Sequence, residues 1–64
     1  MRKLWINIAK MRAITGIKII EIADELGVTR QTVSSWKKRK PQERHALKLV
    51  DIYSDYITLK DCGY

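Results

Sequence analysis

The spacing of Ala23, Gly27, Val33 and Trp36, with the stretch Gly27-Val28-Thr29 between the two pairs, leaves this chain few ways to fold. Each position answers a physical demand. Ala23 lies on the inner face of one helix where a second must cross it, and a larger side chain would hold the axes apart. Gly27 ends that helix where the backbone turns to positive φ, which glycine adopts at little cost. Thr29 offers its hydroxyl to the open N–H groups of the next helix. Val33 and Trp36, three residues apart, share that helix's buried face. Any amphipathic helical hairpin can show an alanine, a glycine and two apolar residues in this order. This stretch stands apart because turn chemistry, cap, buried positions and exposed donors agree over a short span, with cations directly after it.

The other face of the second helix carries Arg30, Gln31, Ser34, Ser35 and Lys38. Such side chains read base edges or hold phosphates in a DNA major groove. Arginine presents a bidentate fork to guanine, and glutamine can pair both ways with adenine. The bland alternative for Arg30 and Gln31 is a solvated first turn of helix. On this reading a helix-turn-helix occupies about residues 18–38.

From about Ile8 to Ile57 the chain resembles the DNA-binding domain of the λ repressor and Cro type, found in phage and mobile-element regulators and in many bacterial transcription factors. The run Gly27-Val28-Thr29-Arg30-Gln31-Thr32-Val33-Ser34-Ser35-Trp36 is similar to that family's turn and recognition helix almost residue for residue. Pro41-Gln42-Glu43-Arg44 resembles the continuation seen in Cro-like members. The resemblance implies a compact all-α, λ repressor-like domain of four to five helices. It also implies that Arg30, Gln31 and Ser35 read bases, with Thr29 and Ser34 as flanking contacts. Two departures are plain. Lys18 and Ile19 replace the family's Ser or Thr followed by Gln, removing a helix cap and a phosphate contact. Lys37 stands where a Glu usually faces an Arg on the first helix, so Arg12 lacks that partner. Ile19 and Ile20 fall where the family is normally polar, and at least one is expected at the surface, where it could meet a protein.

At 64 residues the whole chain, 1–64, reads as one domain. A domain of this size buries only about 60% of the surface its unfolded chain exposes, so self-association is a natural source of further stability. The net charge of +6 is unevenly spread. Residues 1–18 carry five cations and no acid, 19–28 three acids and no cation, 29–50 seven cations against Glu43, and 51–64 three acids against Lys60. Cations thus flank the motif while acids gather on its first helix, the footprint of a protein facing a polyanion. A membrane surface also attracts cations, but it needs a free apolar helix face, and here those faces are required for the core.

Helical periodicity places a first helix at about residues 3–14, stopping at Thr15-Gly16, with Leu4, Ile8 and Met11 inward. Ile19, Ile22, Ala23 and Leu26 mark the second, and Val33 with Trp36 the third. Pro41 blocks continuation. A fourth helix is expected from Glu43 to about Ile57, burying Ala46, Leu47, Val50, Tyr53 and Ile57, followed by a short turn that Thr58 caps. Lys38, Arg39 and Lys40 are placed to hold phosphates beside the reading helix. Arg44 and Lys48 either extend that grip or form ordinary helix surface. His45 reads as surface or boundary. Trp36 is assigned to the core rather than to base stacking, and Trp5 is left open. Tyr53, Tyr56 and Tyr64, with Ile57 and Leu59, form a candidate dimer surface or simply pack on the core; Ile19 and Ile20 complete the candidate partner surface.

Cys62, the single cysteine, cannot form an internal disulfide and reads as incidental. Met1-Arg2-Lys3-Leu4-Trp5-Ile6 imitates a signal peptide, but Asn7 and Lys10 break the run, and no stretch approaches the ~20 apolar residues that cross a bilayer. A cytoplasmic location is expected. One histidine, no phosphate loop, no metal-ligand cluster and no nucleophile–base pair argue against an enzyme. No cofactor, metal or small-molecule ligand is expected. Two functions remain. One is a sequence-specific regulator of Cro-like repressor type on a near-palindromic DNA operator, bound as a homodimer. The other is an antirepressor or modulator that docks another regulatory protein through Ile19, Ile20 and the acidic helix.

Overall fold

Helix α1 runs over Lys3–Thr15 and turns Leu4, Ile8 and Met11 inward, all at most 1% exposed. The computed structural model describes residues 3–64; Met1 and Arg2, which open the signal-like run, lie outside the described residues. Gly16 follows α1: its N–H still donates to the Arg12 carbonyl at 2.8 Å, and its positive φ then turns the chain out of the helix. Helices α2 (Ile19–Leu26), α3 (Arg30–Ser35) and α4 (Glu43–Ile52) follow, and turns complete the chain to Tyr64. The fold is all-α, as the periodicity predicts, and the described residues contain no strand. None of these helices is long and apolar enough to cross a membrane.

α2 has no side-chain cap from Lys18, whose ammonium cannot accept a hydrogen bond. Half of a capping box survives: the Glu21 carboxylate accepts the Lys18 N–H at 3.0 Å. The helix ends at Gly27, φ 69° and ψ 31°. There the Gly27 N–H donates to the Asp24 carbonyl at 3.2 Å and the Val28 N–H to the Ala23 carbonyl at 3.0 Å, the paired bonds of a Schellman motif. α2 packs against α3 and α4, and Ala23, fully buried, leaves room for the crossing. Ile22, Leu26, Val33 and Trp36 join the α1 residues in one core, completed by Ala46, Leu49, Ile57 and Cys62.

The C-terminal part departs from the periodic reading. α4 stops at Ile52 rather than continuing to Ile57, because Tyr53 leaves helical geometry at φ −117°, ψ 40°. Leu47, expected inside, is 52% exposed; the buried pair is Ala46 and Leu49, three residues apart on one face. Val50 and Tyr53 are half-buried against that core. Ile57 is buried, but from the turn after the helix. Thr58 caps as expected: its hydroxyl accepts the Asp61 N–H at 3.2 Å while the Asp61 carboxylate accepts the Thr58 N–H at 3.1 Å. Cys62 packs in the core at 1% exposure. Burial, then the neighbouring Asp61 charge, pushes its thiol up to about 11, which keeps it protonated and unreactive at neutral pH.

Candidate nucleic-acid interface

Thr29 opens α3 as its N-cap, its hydroxyl oxygen accepting the Thr32 N–H at 3.2 Å and lying 3.0 Å from the Thr32 hydroxyl. That cap fixes where the helix begins. It therefore fixes which way the next two side chains leave it, and Arg30 and Gln31 are both exposed. Ser34 and Ser35 are half-buried. The Ser35 hydroxyl donates to the Thr32 carbonyl at 2.6 Å, so its proton is committed inside the helix and only its lone pairs remain to accept. Thr29 is likewise occupied by its cap. Of the five candidate base readers, Arg30, Gln31 and Ser34 make no side-chain hydrogen bond within the described residues, and of these three Arg30 and Gln31 are the exposed ones.

Val33 and Trp36, at 0% and 2% exposure, anchor the other face of α3 in the core. Trp36 is the C-cap residue rather than a helical one. Its burial settles its role as packing. Trp5 is half-buried, with the Lys37 ammonium 5.3 Å from the centre of its ring. Lys37 is thus turned onto an aromatic face in place of an acidic partner, and Arg12 instead donates to the Ile17 carbonyl at 3.2 Å.

Lys38, Arg39 and Lys40 are all exposed. Arg39 and Lys40 meet Arg44 around an open hollow of about 390 Å³, lined also by Thr32, Ser35, Trp36, Gln42 and His45. The hollow joins the end of α3 to the start of α4. Two contacts shape its rim: the Arg44 Nε donates to the Gln42 side-chain oxygen at 3.1 Å, and the Lys40 ammonium sits 4.5 Å from the centre of the Tyr64 ring. His45 is half-buried, its ring 6.2 Å from that of Trp36, and burial together with the Arg44 charge holds its pKa below the ordinary imidazole value. Three cations gathered around polar groups suit a phosphate oxygen. Thr32, Gln42 and His45 escaped the sequence reading as members of this site. The signal for Gln42 was its place before Glu43, at the head of α4.

Lys48 is exposed on α4 and does not line the hollow. Of the candidate partner surface, Ile20 is 50% exposed, Ile19, Tyr53, Tyr56 and Leu59 are half-buried against the core, and Ile57 is 1% exposed. Ile57 is therefore core and offers no surface, because the turn after α4 folds it inward. Among the described residues no group of His, Cys, Asp or Glu could hold a metal ion.

Two helices crossed at a small residue, a glycine-ended turn and a capped, outward-facing second helix define a helix-turn-helix DNA-binding fold. Residues 2–44 match the family model of the homeodomain-like domain, and the chain belongs to that family. No curated protein and no solved structure matches it.

Proposed function

We propose that this protein is a sequence-specific, double-stranded DNA-binding transcriptional regulator, of the Cro-like repressor type, that acts as a homodimer on a near-palindromic operator. The observation that carries this reading is that one helix serves both sets of groups: Arg30 and Gln31 are exposed on the first turn of α3, and Thr32 and Ser35 of the same helix wall the basic hollow of Arg39, Lys40 and Arg44. Base-reading groups stand next to phosphate-holding ones, as a helix seated in a major groove requires. Thr29 and Ser34 flank the contact, Ser35 accepts from a base, and Lys38 adds a backbone contact. In a dimer the two α3 helices would lie about 34–36 Å apart, one turn of DNA. The λ repressor-like resemblance supports the repressor assignment.

The test is selection of bound duplexes from a random library at near-physiological salt, followed by salt titration on the best duplex. A palindromic consensus is expected. Arg30→Ala should relax base choice at one operator position, worth about 1–3 kcal/mol. Lys38→Ala should weaken every duplex alike and flatten the salt slope by about one unit. Unchanged specificity in the Arg30 variant would remove that residue from base reading, and recovery of no consensus from folded protein would overturn the proposal.

One observation favours a second reading. Ile20 is 50% exposed on α2 beside exposed Glu21, Asp24 and Glu25, a surface suited to a regulatory protein partner. Partner capture that survives Arg30→Ala and fails with Ile20→Asp would support this reading; the reverse pattern would eliminate it.

A further inference from the structure

A second cleft, of about 340 Å³, opens between the end of α1, the start of α2 and the segment after α4, lined by Met11, Ile17, Tyr53, Tyr56, Glu21 and the backbone turn at Thr15-Gly16. It shares no lining residue with the basic hollow. Its size falls within the range of pockets that enclose small molecules, roughly 300–1,000 Å³. Its chemistry is the reverse of the basic hollow's. A methionine, an isoleucine and two tyrosines supply apolar and aromatic walls. The only charged side chain on the lining is a carboxylate.

That carboxylate is underused. Glu21 spends one oxygen on the Lys18 N–H, and its other oxygen accepts no hydrogen bond from the described residues. Among the described residues the one ion pair joins Lys3 to Asp61, and none engages Glu21, Asp24 or Glu25. The guanidinium of Arg12 is tied to the Ile17 carbonyl. The charges of Glu25 and Glu21 both act on Tyr53, and with burial, the larger cause, they push its phenol above the ordinary value. The Tyr53 hydroxyl is sealed from water with no hydrogen-bond partner. An aromatic cleft with a carboxylate that holds no contact ion pair attracts a cation twice, through the carboxylate and through the ring faces.

We propose that the cleft between α1, α2 and the post-α4 turn is a binding site for a small organic cation, an amine carried on an apolar or aromatic body. The body lies between Met11, Ile17 and the two tyrosine rings, and the ammonium faces the free oxygen of Glu21. This site is independent of the DNA reading, because none of its residues belongs to α3 or the basic hollow.

The experiment follows the Met11 methyl and the Tyr53 and Tyr56 ring resonances by NMR as phenethylammonium, neutral 2-phenylethanol and anionic 3-phenylpropionate are titrated into the full chain. Saturable shifts at Met11, Tyr53 and Tyr56 are expected with phenethylammonium. The alcohol should bind about fivefold more weakly and the carboxylate more weakly still. Glu21→Gln keeps an oxygen to accept the Lys18 N–H, so the start of α2 survives, and it should erase most of the preference for the amine. Equal binding of the three probes, shifts confined to other residues, or a preference unchanged by Glu21→Gln would each overturn the proposal.

Discussion

The motif, residues 18–38, and the tail, residues 53–64, are both short stretches of turn and helix end gathered around apolar anchors, yet the reach of the bonds that hold them differs. In the motif the fixing bonds are local: Glu21 to Lys18, Val28 to Ala23, Thr32 to Thr29. In the tail the local pair of Thr58 with Asp61 is joined by bonds that reach across the chain. The Asn7 amide donates to Asp61 at 2.6 Å over 54 positions of sequence, and the Tyr64 hydroxyl donates to the Pro41 carbonyl at 2.8 Å over 23. Local bonds survive small rearrangements elsewhere. Long-range ones exist only if the whole core is assembled, so the tail depends on the body of the protein while also closing it.

The sharpest way to break this contrast is to remove an anchor of the tail. Ile57→Ala should cost about 2–5 kcal/mol if the tail belongs to the core, read as a lowered urea midpoint with an unchanged slope. A cost near zero would make the tail a passive appendage. Asp61→Ala comes next. It leaves the Thr58 N–H and the Asn7 amide without their acceptor, at about 1–3 kcal/mol.

The same carboxylate gives the tail a pH signature. Burial pushes Asp61 upward, but hydrogen bonds from the Thr58 backbone, the Asn7 amide and the Thr58 hydroxyl, with the Lys3 charge, outweigh it and hold the group below the ordinary carboxylate value. A carboxylate lowered on folding stabilises the protein above its unfolded pKa and loses that contribution as pH falls through the folded one. Urea midpoints should therefore drop on acidification below about pH 4, and Asp61→Asn should flatten that drop. An unchanged acid limb in the variant would assign it to other carboxylates.

On the motif side, Thr29→Ala removes the cap of α3 and should cost about 1 kcal/mol in thermal or urea melts. Its effect should be the same in the Asp61→Ala background, since the two sites share no bond; clear non-additivity would contradict the separation of the two regions. Smallest is Leu47→Ala, at an exposed position, expected within about 0.5 kcal/mol of the parent. If Leu47 costs as much as Ile57, the helical stripe expected over 43–57 is the better account.

These contrasts explain what could be read from the sequence. Gly27, Thr29, Ala23 and Val33 announce their roles because a left-handed cap, an N-cap hydroxyl and a close crossing each demand particular residue types at fixed offsets. The end of α4 has no such marker. Asp51 through Tyr56 contain neither proline nor glycine, so a helical period continues on paper to Ile57, while the chain turns at Tyr53 to seat Ile57 and Cys62. Leu47 and Leu49 were indistinguishable by composition, yet two positions along the helix separate the core face from the wet one. At the interface, Arg30 and Gln31 were legible as exposed donors. The internal commitment of the Thr29 and Ser35 hydroxyls was not, because serine and threonine read alike whether they bond outward or to their own helix.

The contact between Trp36 and His45 also gives the basic hollow an optical reporter. Trp36, almost wholly removed from water, should emit toward the blue, whereas half-exposed Trp5 emits further to the red. A neighbouring imidazolium quenches indole emission, and the His45 ring is 6.2 Å away on the wall of the hollow. Quenching of the blue component should therefore set in below pH 6.5, where the lowered His45 takes up its proton. An anion seated beside that imidazole would favour its charged form and move the midpoint upward. The unlabelled protein would then signal the filling of its own basic hollow in the colour and intensity of its light.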